Sequence, residues 1–270
     1  MRLTSLSVLL SSLLFVSHVH ALDLSKETQD YKAFVIEQID QLVLDTEKFV
    51  NYLKTGDLDN AKKIYPLARM YFERSEPIAE SFGDLDPRID ARLADLTEEG
   101  KNEDDWSGFH KIERILWEQN TTQGTEAIAT QLMNDVKELR AKIPTADVTA
   151  ELMITGAVDL LNEVSTTKVT GEEEIYSKTD LYDFKANIEG AEKIFTLFQP
   201  HLAKKDSKLV TEIMERFAEV NALLAKHNQA KQGYDYVGYD KLSVADIKAL
   251  AEAVNKLGEP LAQMGVLLEE

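Results

Sequence analysis

The sequence predicts an all-α protein of roughly eight to ten helices. Three observations carry this reading. Only six prolines and twelve glycines are spread over 270 residues, which leaves long stretches free of helix breakers. Apolar residues return every three or four positions, most clearly at Leu209, Ile213, Phe217, Val220 and Leu224. No stretch alternates apolar and polar residues long enough to read as a strand.

In chain order, Val35, Ile39, Leu42, Phe49 and Leu53 form the first helical stripe, and Gly56-Asp57 break it. The spacing predicts a second helix over residues 59–81, kinked at Pro77, whose ring nitrogen cannot donate to the carbonyl of Glu73. Residues 83–87 read as a turn, followed by a helix through Ile89, Leu93 and Leu96, a polar loop over 100–104, and the helix that carries His110. After a break at 120–124, a helix runs to about residue 142 and Pro144 ends it. Residues 152–164 read as a buried helix with Gly156 at a close helix contact, and 166–177 as an acidic loop. A strong helix covers 180–198, ended by Pro200, and residues 232–240 form a tyrosine-rich loop. Ser243 caps the last helix, with Asp246 three residues on. The expected architecture is bilobal: two antiparallel bundles side by side, lobe one about 26–143 and lobe two about 145–270.

Residues 1–21 read as a signal peptide: Arg2, an apolar run over 9–16, then Val19-His20-Ala21 before the cut. The run is too short and serine-rich to span a bilayer. Cleavage would leave residues 22–270 with a net charge of 29 − 48 = −19. Such an acidic chain has no basic stripe for nucleic acid and attracts cations to its surface. The absence of cysteine excludes disulfides, thiolate metal sites, a cysteine nucleophile and a lipid-modified cysteine, so the expectation is an exported protein that is not a lipoprotein.

Three groups of residues can carry chemistry. His110 and Glu113 stand three apart on one helix face, so an imidazole nitrogen and a carboxylate oxygen can converge on a metal, or simply hydrogen-bond. Alone that pair is weak. Arg114 stands where either zinc-peptidase pattern needs a second histidine, and residues 22–270 lack the E-x-x-H of a di-iron bundle. Glu73 and Glu76, continued by Glu80, place carboxylates on one face, where they repel unless a cation or proton lies between them. The glutamate triplet Glu172-Glu173-Glu174 precedes a helix start, with Asp183, Asn187 and Glu189 beyond it.

The segments Y-F-E-R-S-E-P-I-A-E-S-F-G-D-L-D-P-R-I-D-A-R, G-F-H-K-I-E-R-I-L-W and G-E-E-E-I-Y-S-K-T-D-L-Y-D-F-K-A-N-I-E-G-A-E-K-I resemble the imelysin-like domain of the EfeM/EfeO family, periplasmic components of bacterial iron-uptake systems. The resemblance runs in order from about residue 30 to the C-terminus. It implies paired four-helix bundles with a metal site near the cleft between lobes. It implies as site residues His110 and Glu113, Glu73 and Glu76, Asp90 and Glu173. Lys178 stands where the family often has histidine. The chain has no room for the cupredoxin domain of the longer EfeO form and resembles the short EfeM form.

These readings lead to a periplasmic, monomeric protein that is not an enzyme. It would capture iron, with zinc, copper, manganese or calcium also compatible, and pass it to an inner-membrane permease alongside a haem-peroxidase-like periplasmic partner. The alternative is an acidic-polysaccharide-binding protein that uses Tyr176, Tyr182, Tyr234, Tyr236 and Tyr239 as stacking surfaces. A metallopeptidase ranks third, with Glu73 or Glu76 as base.

Overall fold

The computed structural model describes residues 22–269. The expected signal peptide lies outside these residues. Ten α-helices follow one another among the described residues: α1 Ser25–Thr55, α2 Leu58–Glu73, α3 Leu85–Asp90, α4 Leu93–Glu98, α5 Gly108–Glu118, α6 Glu126–Lys142, α7 Ala150–Thr166, α8 Asp180–Lys205, α9 Ser207–Ala225 and α10 Val244–Glu269. Short 3-10 turns join them, and the one β-bridge among the described residues ties Asn228 to Tyr236.

Helix α1 buries Tyr31, Val35, Ile39, Leu42, Phe49 and Leu53 against α2 and α6. Gly56 closes it in the left-handed region, and Asp57 starts α2 by accepting the Asn60 N–H at 3.2 Å. Helix α10 packs on α7 and α9, and α8 packs on both α9 and α7. Helix α8 also lies against α2, so one long helix joins the N-terminal and C-terminal halves. The aromatic rings of Phe49, Tyr65, Phe109 and Trp117 meet between α1, α2 and α5, adjacent centroids 5.3–6.0 Å apart. Ser243 and Asp246 form the expected reciprocal cap at the start of α10.

Three local expectations need correction. The second helix does not run to residue 81 but ends at Glu73, and 3-10 geometry follows from Glu76 to Phe82. Pro77 leaves the Glu73 carbonyl without its helical donor, and the Asn187 side chain of α8 takes that place at 3.1 Å. The helix predicted through Ile89 and Leu96 is two short ones, broken where Ala91 and Arg92 turn extended. Pro200 does not end α8, because Phe198 and Leu202 are buried on either side and that packing offsets one missing hydrogen bond.

Two glycines fix how closely elements approach. A Cβ on Gly156 of α7 would stand 1.8 Å from the Pro77 carbonyl oxygen, so the expected close contact is present. Gly108 opens α5 at φ +84°, and a Cβ there would stand 2.2 Å from the Ile89 carbonyl oxygen of α3. Gly108→Ala meets both a left-handed backbone and a clash with main chain. The expected result is a loss of about 1–3 kcal/mol in urea unfolding, with the slope of the transition unchanged.

Candidate metal centre

The contact between α3 and α5 brings Asp90, the last residue of α3, beside His110 near the start of α5. Trp106 Nε1 donates to the Ala91 carbonyl at 2.7 Å and Ser107 Oγ to the Arg88 carbonyl at 2.8 Å, closing the same junction. The loop after α7 supplies the other wall. Glu113 Oε1 accepts the backbone N–H groups of Tyr176 at 3.0 Å and Ser177 at 2.7 Å, and so ties that loop to α5.

The other oxygen of Glu113 lies 3.3 Å from His110 Nδ1. A carboxylate there only accepts, so in the neutral ring the proton sits on Nδ1 and the lone pair on Nε2. His110 is 2% exposed, and its Nε2 has no hydrogen-bond partner among the described residues. Asp90 Oδ1 stands 3.7 Å and Glu173 Oε1 4.0 Å from it. A buried lone pair without a donor, facing two carboxylate oxygens, is an arrangement that a cation can satisfy. On the Nδ1 side Glu113 and Glu174 also gather, but there the ring nitrogen carries the proton and offers no lone pair.

Two buried cations share these carboxylates. Arg69 of α2 is fully buried: Nη1 donates to Asp90, Nη2 to Glu73, and Nε faces Glu174 and, at 3.5 Å, Asp183 without hydrogen-bond alignment. Lys168 is also buried and reaches Glu73 at 3.2 Å, both oxygens of Glu76 at 3.0 Å, and Glu173 at 3.6 Å. Glu73 and Glu76 therefore face Lys168 and the Asn187 amide, not the imidazole. Glu173 is the shared residue, with its second oxygen 3.3 Å from Arg92.

Burial works to raise Glu73, but Lys168 and Arg69 outweigh it and hold this carboxyl well below the usual range. Glu113 is lowered because His110 and the loop N–H groups outweigh its burial. Burial pushes Glu174 and Asp183 well up, and Arg69 only partly opposes it. Burial also raises Asp90 against the pull of Arg69, takes Asp180 to about 6, and takes Asp86 to about 7 with help from Asp90 and Glu73.

The centre is reached from two sides. A pocket of about 170 Å³ is lined by Trp106, His110, Glu113, Glu173, Ile175 and Tyr176. An acidic cleft of about 290 Å³ is lined by Glu76, Asp86, Asp90, Asp95, Glu163 and Glu173. Arg92 borders both, held bidentately by Asp95. Lys178 lines neither; its backbone sits at φ +62° and its carbonyl accepts the Tyr239 N–H at 2.8 Å.

Of the six expected site residues, the structure groups His110, Glu113, Asp90 and Glu173 around the imidazole and puts Glu73 and Glu76 on Lys168. Sequence reasoning missed Arg69 and Lys168; it counted Glu174 and Asp183 in an acidic group able to carry chemistry but did not connect them to the imidazole or to Arg69. Arg69 left one signal: a charged residue on the apolar face of α2, four positions before Glu73.

The family model described as imelysin (Peptidase M75) matches residues 27–264. A protein of Staphylococcus haemolyticus named as an EfeM/EfeO family lipoprotein is 56% identical over 247 residues, covering 91% of this chain and 85% of its own. A protein of the same name from Staphylococcus aureus is 54% identical, covering 92% and 86%. The chain belongs to the imelysin-like EfeM/EfeO family. These relatives correct two expectations. They are lipoproteins by name and come from a Gram-positive genus that has no periplasm, so neither a periplasmic location nor the exclusion of a lipoprotein stands. The sequence reading took compartment from the resemblance and lipidation from the cysteine count, and neither reports on the envelope in which such proteins work.

The raised carboxyls set a pH dependence. A group that binds protons more readily folded than unfolded adds stability at low pH, and this is lost as pH rises through its folded value. Asp180 and Asp86 place that loss near pH 6 and 7, whereas the lowered Glu73 and Glu113 act only below the ordinary glutamate value of 4.5. The metal-free protein should melt at a lower temperature at about pH 7.5 than at about pH 5.5. Asp180→Asn should shorten that fall in thermal scans monitored by circular dichroism.

Proposed function

We propose that this EfeM/EfeO family member binds a hard metal cation, with iron as its cargo, through His110 Nε2, Asp90 and Glu173, and passes it to a membrane permease. The observation that supports this most is the buried, unpartnered Nε2 facing two carboxylate oxygens. Glu113 acts by holding the imidazole tautomer and orientation, as carboxylates commonly do behind metal-bound histidines. Glu73 and Glu76 belong to the charge frame around Lys168, and Arg69 holds Asp90 from behind. One imidazole with carboxylate oxygens suits iron or manganese better than copper(I) or a closed structural zinc site, and calcium and zinc remain competitors. Family membership supports association with an iron-transport system, including the permease and the haem-peroxidase-like partner that the resemblance implies.

The reading is of a binding protein, not an enzyme. A zinc-peptidase centre needs further imidazole ligands and a water-activating base, whereas the groups facing Nε2 are carboxylates. A polysaccharide reading meets a charge obstacle. The open groove that holds Tyr71, Tyr234, Arg74 and Lys193 also holds Glu189 and Glu192, which cancel its positive charge.

Calorimetry with anaerobic ferrous iron and with manganese should show binding near neutral pH, and the melting temperature should rise with metal. His110→Ala should abolish both effects. Glu113→Gln should weaken binding by about 10–100-fold while leaving the fold intact. No heat and no thermal shift with any of iron, manganese, zinc, copper or calcium would dispose of the reading.

A further inference from the structure

We propose that Lys168 is an internal counter-cation that competes with the bound metal for Glu173 and so sets how tightly the centre holds its cargo. The inference rests on the metal reading above and assigns a role that the reading does not need. Lys168 lies in the connection between α7 and the glutamate triplet, with its ammonium fully inside the protein. It does not sit in a neutral pocket. Glu73, Glu76 and Glu173 converge on it at 3.0–3.6 Å, and the Asn187 amide braces the first two from the other side. Glu173 Oε1 thus lies 3.6 Å from Lys168, 3.8 Å from Arg69 Nη2 and 4.0 Å from the open Nε2 of His110, and Lys168 is the nearest cation to it.

A cation on Nε2 must draw on the same oxygen. Two consequences follow from Coulomb's law at short range in a poorly solvated site. The ammonium repels the incoming metal, and it withdraws from Glu173 some of the negative charge the metal would use. Both weaken binding, and neither requires Lys168 to touch the metal. Lys168 also keeps Glu73 and Glu76 engaged, so they are not free to move toward His110 as added ligands. For a protein that must release its cargo, a built-in competing charge limits affinity without removing a ligand.

The test is manganese calorimetry on the full chain as wild type, Lys168→Met, Lys168→Arg and His110→Ala. Lys168→Met should bind at least about tenfold more tightly than wild type, and Lys168→Arg, which restores the charge, should return toward the wild-type value. Unchanged or weaker binding in a folded Lys168→Met would overturn the proposal, as would Lys168→Arg behaving like Lys168→Met. If Lys168→Met loses its cooperative thermal transition, the double variant Lys168→Met/Glu76→Gln, which removes the ammonium together with a carboxyl that faces it, replaces it. Its affinity should still exceed that of wild type by at least about threefold, because the ammonium that competes for Glu173 is gone, and wild-type affinity would overturn the proposal. A fall of more than about tenfold would mean that Glu76 is itself a ligand and would overturn the assignment. Absence of binding in wild type would instead remove the metal reading, and the role of Lys168 with it. Loss on His110→Ala with no gain on Lys168→Met would remove only the latter.

Discussion

The buried guanidinium of Arg69 is the constraint around which the rest of the molecule is arranged. It touches Asp90 from α3, Glu73 from its own helix, Glu174 from the loop after α7, and Asp183 from α8. Each carboxylate arrives on a different element, and each would be costly to bury alone. An arginine at zero exposure is tolerable only when such partners are all present, and they in turn are tolerable only around it. Removing one side of such a set leaves uncompensated charge, which typically costs about 3–5 kcal/mol. The two halves of the chain are therefore joined by charge as well as by the packing of α8 on α2.

This arrangement explains why the histidine lies where it does. The imidazole is not itself the organiser. It enters a wall of carboxylates only partly balanced by Arg69 and Lys168, and it finds one oxygen of Glu113 for Nδ1 and no donor for Nε2. The same Glu113 pins the loop through two backbone N–H groups, so the loop that delivers Glu173 is fixed by the residue that fixes the ring. Ring tautomer, loop position and the placement of a candidate ligand thus depend on a single side chain. That coupling is what pre-organisation of a site means in physical terms.

Helix periodicity made the fold class legible, because apolar spacing is a property of each segment read alone. The stripe from Leu209 to Leu224 is buried as its spacing predicts, and the reciprocal cap at Ser243 is present. Proline was read less well. Pro77 ends a helix because a side chain from α8 is available to satisfy the carbonyl it abandons, whereas Pro200 lies within a helix because both its flanks are buried. Neither fact is local. The site was half legible for the same reason. His110 was named from its spacing to Glu113, and Asp90 and Glu173 from the family resemblance, but the cations that decide which carboxylates reach the imidazole lie elsewhere in the sequence. Lys168 stands 92 residues from Glu76, and no spacing rule connects them.

Charge balance also bears on how a cation would exchange at the proposed site. Without metal, the excess acid is held partly by Arg69 and Lys168 and partly by protons, since burial keeps Glu174 and Asp183 well above the usual carboxylate range. A cation arriving at Nε2 adds positive charge to a set that is already nearly compensated. It can do so only by displacing protons or by loosening the hold of a resident cation on a shared oxygen. On the proposed metal reading, capture would be linked to proton release and acidification would favour release of the cation. The Lys168–Glu173 contact acts in the same direction at every pH, because its ammonium stays charged: burial works against this, but Glu173, Glu73, Glu76 and Glu163 outweigh it. If the proposed site binds a metal, one imidazole and oxygen ligands set against two fixed cations would hold it reversibly and not trap it.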